Sequence, residues 1–239
     1  MAFKPALIVV DMQNDFCSPQ GLTPVSGNGM DLVAPIKQLL SLPGFAMRVT
    51  TFSDIPENHK AMAHNHTDAK PLETYVESAN PKKGMSHKTV KQLALHKCCI
   101  QGTWGAQLVD GLQESDFDLV VRRNANADTW MWSPFNDVHG NEKHDLHSDA
   151  VSHHLGDELA SKEITHVFCV GTAGDHCVSH TTMDAARAGF KAYVIEDVTR
   201  SFDDGEEWPA MKKQLKAKGV EVVMMHGPEV ERVRASGVE

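Results

Sequence analysis

Three side chains stand where short apolar runs give way to polar sequence. Asp11 closes ALIVVD, Arg123 follows the run at 119–121, and Cys177 lies just beyond the run ending at Gly171. A cysteine that opens a helix has its thiolate stabilised by unpaired amide groups and by the positive end of the helix dipole. Cys177 is therefore predicted to have a lowered pKa and to act as a nucleophile. A carboxylate beside it, Asp11, could take up and return the thiol proton. The intervening Gly171-Thr172-Ala173-Gly174 is small enough for backbone N–H groups to close on a substrate carbonyl as an oxyanion hole. Each residue also has a plainer reading: Cys177 as a small buried helix residue, Asp11 as a strand-end cap, Arg123 as a solvated strand-end cation.

What would bring the three together is an open parallel sheet, in which ligands bind beyond the carboxyl ends of the strands. Strand-like runs rich in Val and Ile recur at 6–11, 45–51, 118–122, 166–171, 191–197 and 220–225. Such continuous apolar runs suit strands covered on both faces. Helical candidates lie between them at 30–42, 104–112, 145–162, 177–189 and 208–218, the last two stopping at Gly189 and Gly219. The alternation predicts a three-layer, doubly wound α/β fold with a mostly parallel sheet. Residues 56–103 lack apolar periodicity and read as a long excursion over the active-site edge. No repeat, linker or low-complexity segment interrupts the chain, so residues 1–239 are expected to form a single domain.

The charge balance limits the partners. A formal net charge of -9 without clustered Lys or Arg argues against nucleic acid and for a small-molecule substrate. No apolar run approaches the roughly 18 residues of a membrane span. The first apolar run is too short for a signal peptide, and the five cysteines follow no disulfide or zinc-ribbon spacing, so a cytoplasmic protein with reduced thiols is expected.

The motifs around these residues go further. LIVVDMQNDF, CIQGTWGAQLVDGL, GTAGDHCVSHTTMDAARAGF and IEDVTRSFDD together resemble the isochorismatase-like cysteine hydrolases, and within them most closely the fungal-type nicotinamidases. The resemblance covers nearly the whole chain and implies the isochorismatase-like hydrolase fold. It implies Cys177 as nucleophile, Asp11 as acid/base, and an oxyanion hole from the backbone N–H groups of Ala173 and Cys177 behind a cis peptide at Thr172-Ala173. It implies a pocket lined by Phe16, and it leaves room for a homo-oligomer. The aromatic segment 128–135, with Trp130, Trp132 and Phe135, stands where family members place pocket walls and suggests a flat, apolar substrate, with packing against the neighbouring helix as the competing account.

Two departures qualify the resemblance. The family's third catalytic residue is a lysine, and Arg123 stands in its place, with a guanidinium that is a poor proton donor and acceptor. Nicotinamidases also hold a divalent metal with an Asp and two His, and the matching positions here are Ser53, Ile55 and Cys98. Ile55 cannot ligate a metal and Ser53 is a weak ligand, so no metal cofactor is expected. A shifted site drawn from Asp54, His59, His64, His66 and His96 is conceivable, but these histidines read mostly as surface residues. The resulting expectation is hydrolysis of a small carboxamide through a cysteine thioester, with nicotinamide the leading named substrate. One alternative is vinyl-ether hydrolysis using Asp11 alone. Another is a degenerate member that binds a ligand or partner without turnover, against which the presence of both Asp11 and the Cys177 segment argues.

Overall fold

Successive residues of the apolar runs are buried in turn on opposite sides, which gives one sheet two covered faces. The computed structural model describes residues 2–237, apart from the side chain of Lys143. In chain order its strands are β1 (Pro5–Val10), β2 (Met47–Ser53), β3 (Tyr75–Ala79), β4 (Thr89–Leu93), β5 (Leu119–Arg123), β6 (His166–Thr172), β7 (Lys191–Arg200) and β8 (Glu221–Val223). Six of them form a parallel sheet in the order β5-β2-β1-β6-β7-β8, and β3 and β4 pair antiparallel as a separate hairpin. The helices are α1 (Asn14–Cys17), α2 (Val33–Leu40), α3 (Leu155–Ser161), α4 (Ser179–Arg187), α5 (Glu207–Ala217) and α6 (Pro228–Ser236).

Leu7, Val9, Phe168 and Val170 pack with α2 and α6 through Ile36, Leu39, Val230 and Val233. Their strand neighbours Ala6, Ile8, Val167 and Cys169 pack the other way, against Leu155 and Leu159 of α3, Ala185 of α4 and Leu215 of α5. The result is the expected three-layer α/β fold. From β1 the chain winds outward through β2 to β5, then returns to the other side of β1 as β6. The crevice between β1 and β6 is thus the point where the strand order reverses.

Three expected elements differ. The predicted helix at 104–112 is a single 3-10 turn, Trp104–Ala106. Its backbone is captured by the loop after β1: Asn14 donates to the Trp104 carbonyl at 2.9 Å, Gln13 to that of Ala106 at 2.9 Å, and the Val109 N–H to Met12 at 3.0 Å. The helix expected over 145–162 begins only at Leu155, because the preceding residues run beside β5, with Val151 bridging Arg123 and the Ser152 N–H donating to Arg122 at 2.8 Å. The 56–103 excursion contains the β3–β4 hairpin. Helix α6 escaped sequence reasoning because it buries only Val230 and Val233, too few apolar positions to set a period.

Candidate active site

β1 ends one residue before Asp11, whose φ of 48° turns the chain out of the sheet. This left-handed conformation is one that aspartate tolerates better than most residues. Three contacts hold the turn: the Asp11 N–H donates to the Thr51 carbonyl at 3.2 Å, and the Asp11 carbonyl accepts from the Thr172 hydroxyl at 2.7 Å and the Gln13 N–H at 2.7 Å. The neighbouring strands are kept close by Gly171 (φ 110°), where any side chain would collide with the Val10 carbonyl. The rest of the QND motif ties loops to the same edge. Gln13 clamps the Ser53 backbone through its amide at 2.7 and 2.9 Å, and Asp15 accepts the N–H groups of Cys99 at 2.6 Å and Leu22 at 3.0 Å.

Arg123, the last residue of β5, is only 1% exposed, so it is a buried cation rather than a solvated one. Its fork reaches Asp11 with both arms, Nη1 to Oδ1 at 3.0 Å and Nη2 to Oδ2 at 2.6 Å. The same Nη2 donates to the Cys177 sulfur at 2.9 Å. Asp11 Oδ1 also accepts from the Thr51 hydroxyl at 2.7 Å. Burial opposes the charge on Arg123, but its pKa is raised all the same, with Asp11 the largest opposing influence, so it is permanently protonated.

Cys177 corrects the expectation of a dipole-activated thiolate. It sits inside one turn of π-helix, Gly174–Val178, that leads into α4. Burial raises its pKa well above the ordinary thiol range; Arg123 pulls the other way, while the charge of Asp11 and a hydrogen bond to it add to the rise. Burial thus favours the neutral thiol over the thiolate. The peptide bond at Thr172-Ala173 is cis.

Of these residues Ala173 and Cys177 reach a 540 Å³ cleft that is also lined by Phe16, Ser53, Cys98, Trp130 and Trp132. Phe16 and Trp132, both named from the motifs, line this cleft. Trp132 also packs against the helix, stacked on His180 of α4 at 6.1 Å between ring centroids. Phe135 is not part of the lining: it is 3% exposed and packed in the core with Leu155 and Leu159, beside Gly156. Trp130, from the same aromatic segment, also lines the cleft, whereas sequence reasoning did not find Leu22, Leu72, Leu93 and Leu95, which reach it from loops and from the hairpin. No local pattern marks such residues.

The three positions that the resemblance assigns to a metal present a poor ligand set. Ile55 is fully buried in an apolar cluster with Met62, Cys99 and Ile100, and Ser53 and Cys98 offer a hydroxyl and a thiol in place of carboxylate and imidazole. Of the nearby histidines, His96 lines the cleft, and three others are engaged elsewhere. His59, expected at the surface, is buried, accepting the Ala61 N–H at 3.0 Å and bonding the Thr129 carbonyl at 3.2 Å. His64 and His66 bond the carbonyls of Glu57 and Lys60. Among the described residues, one triad, Asp175, His176 and Glu207, brings possible ligand atoms within 4.8 Å of one another. Asp175 there already accepts the N–H groups of Phe202 at 3.0 Å and Asp203 at 2.9 Å, which fixes the turn after β7.

An isochorismatase domain matches residues 5–226. The chain belongs to the isochorismatase family. Among curated relatives, the nicotinamidase of Saccharomyces cerevisiae is 33% identical over 91% of this chain and 98% of its own. The nicotinamidase of Acinetobacter baylyi is 31% identical over 90% of each. Among solved structures, that of the yeast nicotinamidase covers 92% of this chain and 99% of its own with a TM-score of 0.81 at 31% identity. No helix among the described residues of this isochorismatase-family chain is long and apolar enough to cross a membrane.

Proposed function

We propose that the protein is an amidohydrolase that cleaves a carboxamide C–N bond through a Cys177 thioester, without a metal. The observation that carries this reading is the single Arg123 Nη2 shared between Asp11 Oδ2 at 2.6 Å and Cys177 Sγ at 2.9 Å. A permanently charged group placed between a carboxylate and a thiol can follow the negative charge from one to the other. As the thiol proton passes to Asp11, the ion pair changes from carboxylate–guanidinium to thiolate–guanidinium, and the buried triad keeps the same total charge. This explains how a thiol held neutral by burial can react: the thiolate forms only as it attacks. Arg123 in this role positions and stabilises, and the proton traffic belongs to Asp11.

The remaining steps follow from that transfer. Sulfur adds to the amide carbonyl, and the oxyanion is held by the backbone N–H groups of Ala173 and Cys177. Asp11 returns the proton to the leaving nitrogen, the C–N bond breaks and ammonia departs. Water then adds to the thioester, giving its proton to Asp11; the C–S bond breaks, the acid leaves and the proton returns to sulfur. Phe16, Trp130 and Trp132 form an aromatic wall suited to a flat acyl group. The activities named for the yeast and Acinetobacter relatives support amide hydrolysis, and nicotinamide is the first substrate to try.

The test is ammonia release from a carboxamide panel. Wild-type protein is expected to turn over at least one member, to yield a hydroxamate when hydroxylamine intercepts the thioester, and to lose both with Cys177→Ala. Exhaustive dialysis against a chelator is expected to leave the rate unchanged. Turnover that survives Cys177→Ala would sink the thioester, and a rate that vanishes on chelation and returns with a divalent ion would sink the metal-free site.

A further inference from the structure

The cleft runs outward from Cys177 to an apolar mouth that a single-ring amide would not reach. Among the described residues six large apolar side chains are left exposed, and three of them, Leu22 at 60%, Leu72 at 55% and Phe202 at 36%, stand around this one opening. Isolated exposed apolar residues are ordinary; three converging on a cleft that leads to a nucleophile mark a surface shaped for an apolar ligand. Leu93 and Leu95, within and just after β4, continue the apolar lining. Leu72 is held there in the left-handed region with φ 61°, its N–H donating to the Ala94 carbonyl at 2.8 Å. A leucine has no intrinsic preference for that conformation, and such residues recur at ligand clamps. The volume, 540 Å³, falls within the range of pockets that enclose ligands much larger than one ring.

We infer that the substrate is a carboxamide whose apolar acyl group is extended, lying along Trp132 and the hairpin leucines and ending between Leu22, Leu72 and Phe202. This rests on the amidohydrolase reading for the position of the amide at Cys177. With Ile55 in place of a metal ligand, recognition of the acyl group comes from its length and apolar area rather than from coordination. The carboxylates of Asp203 and Glu207 on the rim argue against an acidic tail.

The test is a series of benzamides carrying para n-alkyl chains of increasing length, with kcat/KM measured by ammonia release. Each buried methylene is expected to raise kcat/KM about fourfold until the chain passes the mouth. In Leu22→Ser/Leu72→Ser the ratio of the longest to the unsubstituted amide is expected to fall at least tenfold. Both positions are exposed, so their replacement does not threaten the fold. Met224→Ser, at an exposed apolar residue outside the cleft, is expected to keep the wild-type ratio. A flat series in wild-type protein, or a ratio unaltered in the double variant, overturns the inference. If no amide is hydrolysed at all, the amidohydrolase reading fails, and calorimetry of the same series with Cys177→Ala protein still decides the cleft. Affinity that rises with chain length supports the acyl channel, and affinity indifferent to length overturns it.

Discussion

Replacing Arg123 by Met in the buried triad leaves Asp11, which is 0% exposed, as a charge with no cationic partner. Two unit charges about 4 Å apart at an effective dielectric of about 20 attract by about 4 kcal/mol. Breaking a buried pair from one side commonly costs about 3–5 kcal/mol, since the survivor remains desolvated. Arg123→Met and Asp11→Leu are each expected to lower stability by that amount, read as a shift of the urea midpoint at constant slope. Removing both charges together removes the desolvation as well, so the double variant is expected to be less destabilised than the sum of the singles by about 3 kcal/mol. Arg123→Lys keeps the charge but not the two-armed fork, and one ammonium cannot reproduce the 3.0, 2.6 and 2.9 Å contacts; it is expected to lose ammonia-releasing activity more than stability. A cycle in which the singles add to the double within about 0.5 kcal/mol would refute the shared-guanidinium argument, because the two residues would then be energetically independent.

Other consequences are open to measurement. Because burial and Asp11 raise the Cys177 thiol, alkylation of the free protein by iodoacetamide is expected to be slower at pH 7 than for an exposed thiol and to climb into the alkaline range; a plateau below pH 7 would mean a preformed thiolate. His59 is pulled down to about 4, chiefly by burial, against a carbonyl bond from Thr129 and the charge of Asp128. The unfolded chain binds a proton near pH 6.5 and the folded chain does not, so stability is lost as pH falls from about 6.5 to about 4, by on the order of 3 kcal/mol, and levels off below. His59→Gln should flatten that part of the acid limb in urea titrations, and an unchanged limb would exclude His59 as its source. Trp132→Ala should raise KM for an aromatic amide. Phe135→Ala should instead cost about 3–5 kcal/mol of stability, and a pure KM effect there would restore it to the pocket.

Much of this protein was legible in residue order. Apolar runs covered on both faces declared a parallel α/β sheet, and Asp11, Arg123 and Cys177 were recognisable as strand-end and helix-start residues. What the tertiary structure alone decided depends on neighbours distant in the chain. Arg123 is buried rather than solvated because β2 and residues 151–152 flank β5. The Cys177 thiol is raised rather than lowered, because desolvation, with Asp11 adding to it, outweighs the pull of Arg123. Residues 104–112 abandon a helix because Gln13 and Asn14 capture their carbonyls from about 90 positions away. Trp132 lines the cleft while Phe135, three residues on, fills the core. Burial, charge coupling and competition for backbone hydrogen bonds are set by how the chain folds back on itself, so no local pattern encodes them.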